Sequence, residues 1–342
     1  MISLNQRSLE RQEENMKQIM LVSPMKTELI EVAEPEITKS TQLKIKVKYC
    51  GVCMSEHYNW SSAENKKPLG HEPVGVVVEA GSNVKNFKVG DRVSGLFAGS
   101  AEYAVTDEEN VFKIPNNVSD TEAILEPLSC LISAVSKVRI NVIGERVAVV
   151  GCGYMGCGAI SLLKKRGAYV VAVDINPKSL ENARLYGADE ALLVSELTDR
   201  YFYIPGSGLD FAGKLGGFPL VMEWGETEES LDLAIRMTQQ CGQLAIGAYH
   251  TGGKRLVDVQ MLNVKAIDCL STHPREKDLN RASCASAVAM LADDSWCFKN
   301  VTTKVFPACR FDQAQSELPT KFGKFLKAVV DYENGDFEPY II

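Results

Sequence analysis

Cys53, Glu56 and His57 stand within five residues of one another in GVCMSEHYNW (51–60), and His71 and Glu72 adjoin in GHEPVG, which begins at residue 70. A further acid and thiol, Glu126 and Cys130, lie in ILEPLSC (124–130). Cys53, His71 and a carboxylate form a soft, borderline and hard ligand mix suited to Zn²⁺. A catalytic zinc keeps one position open for water or substrate, so three strong protein ligands suffice. The bland alternative for the first stretch is a buried thiol beside two surface polar groups, within a segment that reads as strand and turn.

A second chemistry lies in VVGCGYMG. Gly151, Gly153 and Gly156 follow the strand-like RVAVV and open the helix-like CGAISLLKKRG. In that context Gly151 allows a tight turn, Gly153 lets the backbone approach a pyrophosphate and Gly156 lets the helix pack closely on the strand. Tyr154 and Met155 belong to the same turn, whose helix N-terminus offers amide donors and a positive dipole to phosphates. The next strand, AYVVAVD, ends at Asp174, eighteen residues after Gly156. An acid there accepts hydrogen bonds from the adenosine ribose hydroxyls and repels a 2′-phosphate. Ile175 and Asn176 follow it, with no Arg, which favours NAD over NADP. The alternative role for Asp174 is to cap the loop to the next helix.

The elements that must position these groups change character near residue 125. Residues 17–120 are rich in Val and Ile, as in KIKVKYCGV (44–52) and VGVVVEAGSNV (74–84), and are punctuated by Gly, Asn and Pro. They predict strands and turns with little helix. LEPLSCLISAVSKV (125–138) has helical spacing. Strand and helix patterns then alternate through PLVMEWG (219–225), SLDLAIRMT (230–238) and GQLAIGA (242–248). That alternation implies a parallel sheet with helices on both faces, an α/β architecture. After about residue 285 the pattern predicts a helix (SAVAMLA), a strand (VTTKVF) and a last helix (FGKFLKAVVDY).

At 342 residues the chain exceeds the usual span of one core, so two domains are expected. A net charge of −7 argues against general nucleic-acid binding. Ten Cys are scattered without an export signal, which points to a reducing cytoplasm. No apolar run approaches the ~20 residues of a membrane helix. The N-terminus is polar and of mixed charge; residues 1–15 read as an extension, with Met16 a second candidate start.

GVCMSEHY, GHEPVGVVVEAGSNVKNFKVGDRV, AEY (101–103), EPLSC and VVGCGYMG occur in an order and at spacings that resemble the zinc-dependent medium-chain alcohol and polyol dehydrogenases, over roughly residues 17–335. The resemblance implies a GroES-like β-rich catalytic domain (16–135 and 285–342) and a doubly wound Rossmann NAD-binding domain (136–284). It implies that Cys53 and His71 bind zinc. Glu72 is then a direct ligand or lies just behind one, and Glu126 of EPL is a further ligand favoured over Cys130. Ser55 contacts the substrate alcohol and starts a proton relay, Glu56 orients a zinc His, and Tyr58 or Trp60 lines the pocket. His57 is displaced by one from the family's relay His and is balanced between a relay and a surface role. The family's structural-zinc lobe, four closely spaced Cys between GDRV and AEY, has no counterpart here, so one zinc per subunit is expected. The implied reaction is hydride transfer between a secondary alcohol (polyol, sugar alcohol, cyclitol or amino-cyclitol) and NAD, by a homodimer or homotetramer. His250, Arg255, His273 and Arg275 are possible substrate or cofactor contacts or solvated loop residues. The alternatives are a zinc-free quinone or enoyl reductase of the same superfamily, and a non-catalytic NAD-binding scaffold.

Overall fold

The computed structural model describes residues 15–62, 66–203, 216–321 and 323–342. Residues 1–14 of the expected extension lie outside these, and Asn15 already opens the first strand.

The first third is built from β1 (Asn15–Ser23), β2 (Lys26–Ala33), β3 (Gln42–Val52), α1 (Met54–Ser62), β4 (Lys67–Pro68), β5 (Glu72–Ala80), β6 (Arg92–Gly95), β7 (Tyr103–Asp107) and β8 (Val111–Lys113). The middle alternates: α2 (Leu125–Ser136), β9 (Arg146–Val150), α3 (Tyr154–Lys165), β10 (Tyr169–Asp174), α4 (Pro177–Leu185), β11 (Glu190–Leu193), β12 (Phe218–Glu223), α5 (Glu228–Met237), β13 (Thr238–Ile246), α6 (Val259–Val264) and β14 (Asp268–Ser271). The chain closes with α7 (Lys277–Ala292), β15 (Thr303–Pro307), α8 (Phe311–Glu317), β16 (Lys327–Asp331) and β17 (Tyr340–Ile341).

β9 to β14 form a six-stranded sheet in the order β11-β10-β9-β12-β13-β14, every pair parallel. Its central strands β9 and β10 are near-continuous buried Val and Ala runs, as strands covered on both faces require. The order reverses between β9 and β12, the crevice where such sheets bind ligands. The other large sheet runs β17-β15-β16-β3-β5-β6-β8, with β7 also on β3. α2 links the two: it packs on α7 and α3, and one apolar core runs from Val74 and Val329 to Val147 and Ala172.

Two expectations are corrected. Residues 54–62 are helix, not strand and turn. Glu56 and Trp60, four apart on one helical face, are both buried. The last predicted helix, FGKFLKAVVDY, is instead led by α8 upstream and becomes strand β16 at its C-terminal half. All five residues of β16 are buried, paired parallel to β15 and antiparallel to β3. Two β-branched valines suit that double-sided burial, and the tertiary partner overrides helical spacing. α7 begins at Lys277 and contains the expected SAVAMLA helix, and the expected domain limit at 284/285 lies along it.

Candidate active site

β3 runs into α1 and β5 starts beside it, because Gly51 of β3 pairs directly with Glu72. A Cβ on Gly51 would run into the Glu72 carboxylate and come within 2.9 Å of Lys327 Cε. A glycine here therefore makes room for a buried carboxylate. The result is that Cys53, His71 and Glu72, separated in sequence, offer ligand atoms all within 4.8 Å of one another.

Each member is held from behind. His71 Nδ1 lies 2.8 Å from Glu56 Oε1, which also accepts the Gly70 amide at 2.8 Å. The carboxylate accepts, so Nδ1 carries the proton and Nε2 is free for a metal. Burial disfavours charge on His71, yet hydrogen bonds to Cys53 and Glu56 outweigh it and raise the imidazole above its ordinary range. Glu72, fully buried, is ion-paired with Lys327 through one oxygen. Its Oε1 is buried with no hydrogen-bond partner. Burial lowers the Lys327 ammonium, but Glu72 and Cys53 outweigh that and raise it. The same ammonium sits 5.1 Å over the Tyr154 ring.

Glu126 stands on the first turn of α2, outside the 4.8 Å group but in the same cavity. Cys130, one turn on, donates to Glu126 Oε1 at 3.3 Å. Burial and the nearby Glu72 charge raise the Glu126 carboxyl, and burial with Glu126 raises the Cys130 thiol. The Cys53 thiol, the His71 imidazole and the two mutually repelling acids Glu72 and Glu126, the first with an orphaned oxygen, form a donor set that fits a divalent zinc.

Ser55 Oγ donates to Cys53 Sγ at 3.2 Å and faces the cavity, as does Asn59, four residues along α1. Sequence reading missed Asn59, although its i,i+4 spacing from Ser55 was the available signal. The expectation for Tyr58 and Trp60 is corrected: neither lines the cavity. Tyr58 is exposed beside Gly252, and Trp60 is core, its Nε1 donating to Asp312 Oδ1 at 2.7 Å. His57 packs on Trp60, ring centroids 5.2 Å apart, away from the cavity. Lys327 was also missed; a lysine inside the apolar FLKAVVD was its signal.

The cavity in front of these groups measures about 650 Å³ and adjoins a cleft of about 1160 Å³. Gly153, Trp224, Leu318, Lys321 and Leu326 line both. The glycine turn behaves as its spacing predicts. Gly151 has φ +90°, and a Cβ there would meet Gly225 N at 2.7 Å; Gly153 faces open space; a Cβ on Gly156 would strike the Gly151 carbonyl. Tyr154 and Met155 line the cavity in front of Cys53 and His71 rather than the cleft. Asp174 lines the cleft and accepts the Cys152 and Asn176 amides at 2.7 and 2.8 Å. Lys321 lies between the two spaces, its ammonium pushed down to about 7 by burial and then by Lys327. Of the four candidates in residues 250–275, His273 and Arg275 line the cavity. His250 is instead tied to buried Glu223 at 2.9 Å, and Arg255 donates to the Thr251 carbonyl at 2.8 Å.

The model of the alcohol dehydrogenase GroES-like domain matches residues 39–116, and that of the NAD-binding domain of 3-hydroxyacyl-CoA dehydrogenase matches 146–194. The (R,R)-butanediol dehydrogenase of Bacillus subtilis (strain 168) is 31% identical over 244 residues, 56% of this chain and 68% of that protein. An L-threonine 3-dehydrogenase of Photorhabdus laumondii is 34% identical over 211 residues, 50% of this chain and 61% of that protein. The crystal structure of 2R,3R-butanediol dehydrogenase from Bacillus subtilis superposes with a TM-score of 0.74 at 22% identity, covering 93% of this chain and all of that one.

Proposed function

The chain belongs to the medium-chain dehydrogenase family and is an NAD-linked dehydrogenase of secondary alcohols, and we propose that it works on a polyol-type substrate with one zinc held by Cys53, His71 and a carboxylate from Glu72 or Glu126. The observation that carries this reading is the thiol, imidazole and orphaned carboxylate oxygen gathered within 4.8 Å at a cavity continuous with the glycine-turn cleft. The relatives' names support the substrate class: butanediol and threonine are both secondary alcohols with a second polar group on the adjoining carbon.

A zinc ion there supplies Lewis-acid polarisation of the alcohol oxygen. The chain's own groups do the rest. Ser55, whose hydroxyl is 3.2 Å from Cys53 Sγ, receives the substrate proton and passes it toward solvent. Glu56 holds His71 in the tautomer that leaves Nε2 free. Lys327 offsets the Glu72 charge. The Gly151–Gly156 turn cradles the cofactor pyrophosphate and Asp174 the adenosine ribose. Glu228, Glu229, Asp232 and Asp258 share the cleft with Asp174, against Arg236 and Lys321, a net negative field that disfavours a 2′-phosphate and supports NAD over NADP.

The same reading takes 16–135 with 285–342 as the catalytic part and 136–284 as the nucleotide part, bridged by α7. It extends to a homo-oligomer, supported by the edge of β14, which among the described residues ends the parallel sheet. It places the enzyme in a reducing cytoplasm, supported by ten free thiols. No helix among the described residues is long and apolar enough to cross a membrane.

The test is NAD⁺ reduction by zinc-loaded protein on butanediol, threonine, hexitols, pentitols and inositols, with a chelated aliquot in parallel. Chelator-sensitive turnover of a polyol is expected. Turnover that survives full zinc removal would sink the metal assignment.

A further inference from the structure

The metal-side cavity holds its acids and its bases in different states. Its four carboxylates are all engaged by the protein. Glu56 takes the Gly70 amide and His71, Glu72 pairs with Lys327, Glu126 receives the Cys130 thiol, and Glu226 receives the Thr251 hydroxyl at 2.9 Å. Two of its cations are not engaged. Among the described residues, the side chains of Lys67 and Arg275 make no hydrogen bond and no ion pair, although both line the cavity.

These cations come from the two halves of the fold, on backbone that is fixed. Lys67 lies on β4, paired to Leu21 of β1. Arg275 lies on the turn between β14 and α7. That turn is pinned by Thr272 Oγ1, which donates to the Ile246 carbonyl at 2.8 Å, and by Lys137 Nζ, which donates to the His273 carbonyl at 2.9 Å. Asn280, in the first turns of α7, lines the same cavity with a buried side-chain oxygen that has no partner. A terminal amide can present either its oxygen or its NH₂ at such a site.

We infer that the substrate alcohol carries an oxyanion, a carboxylate or a phosphate, remote from its reacting hydroxyl, and that Arg275 and Lys67 bind it. This rests on the reading of the cavity as an alcohol site. A guanidinium presents two parallel N–H donors to the two oxygens of such a group, and a lysine adds a mobile point charge. A neutral polyol leaves both cations to water. The anionic substrate is therefore held by its tail while its hydroxyl reaches Ser55 and the metal ligands, and the gain is in binding more than in turnover.

The experiment compares matched pairs on the zinc-loaded enzyme: threonate against threitol for the carboxylate, glucitol 6-phosphate against glucitol for the phosphate. The kcat/KM ratio of anionic to neutral member is expected to exceed tenfold for one pair, which identifies the oxyanion. In Arg275→Gln and Lys67→Gln that ratio is expected to fall roughly 10- to 100-fold, mostly through KM, with partial recovery in Arg275→Lys. Calorimetry of threonate and of inorganic phosphate on the enzyme–NADH complex, wild type against Arg275→Gln, reads binding independently of turnover. Equal kcat/KM for both members of each pair, or anion binding unchanged in Arg275→Gln, overturns the inference. If no alcohol reduces NAD⁺ while Arg275-dependent anion binding persists, the dehydrogenase reading fails and the anion site stands.

Discussion

Glu56 shows how a single buried side chain sets the chemistry of its neighbour. One of its oxygens accepts both the Gly70 amide and His71 Nδ1, which fixes the ring and its tautomer. Glu56→Gln keeps the shape but removes the charge that favours the Nδ1 proton. Zinc affinity, measured by competition with a chromogenic chelator, is expected to drop ~10- to 100-fold with the fold intact. A change below twofold would remove Glu56 from the site. Cys130 offers the opposite case. Burial and Glu126 raise its thiol, which donates to Glu126 Oε1 and stands outside the group of Cys53, His71 and Glu72. Cys130→Ser is therefore expected to retain zinc, whereas Glu126→Gln is expected to weaken it; the reverse result would hand the ligand role to Cys130.

At the scale of elements, α5 owes its C-terminal end to a lysine from another element. Lys265, fully buried just past α6, donates to the Ile235 carbonyl at 2.6 Å and the Arg236 carbonyl at 3.2 Å. These carbonyls have no partner within the helix, and the ammonium also suits the negative end of its dipole. Burial, then Arg236, pushes Lys265 down to about 8, below the ~10.4 of an unfolded lysine. Between these values the unfolded chain binds more protons than the folded one, so this group adds stability as pH rises from about 8 toward ~10. Lys265→Met lacks that gain. Urea midpoints at pH 7.5 and 9.5 are expected to show the wild type improving relative to the variant at the higher pH; the opposite trend would refute the burial argument.

At the scale of the whole molecule, two cavities meet at Lys321, where the parallel sheet faces the mixed one. With its ammonium pushed down to about 7, Lys321 is a cation below neutrality and increasingly neutral above it. A positive charge there attracts the cofactor pyrophosphate, so NADH affinity is expected to weaken as pH rises from about 7 to 9. The loss should be roughly tenfold, on the order of one charge-assisted hydrogen bond. Fluorescence titration of Lys321→Gln should show weaker binding at pH 6.5 and a flat profile. A wild-type profile that is also flat would take Lys321 out of cofactor binding.

The sequence by itself determined what depends on neighbours in the chain. The glycine turn, the strand and helix that flank it, Asp174 and the α2 stretch were all legible, because backbone freedom, helical spacing and strand alternation are local properties. The candidate ligands Cys53, His71, Glu72 and Glu126 were legible as residue types and through the family resemblance. Only the tertiary structure decided which of them meet, and what stands behind them. Lys327 reaches Glu72 because β16 pairs with β3, and β3 with β5, across more than 250 residues of sequence. The same pairing makes KAVVD a strand despite its helical spacing. Which residues of α1 face the cavity, and which the core, depends on Asp312 and Trp60 meeting across a similar distance. Long-range pairing of this kind is fixed by burial and partner availability, and a short window of sequence carries neither.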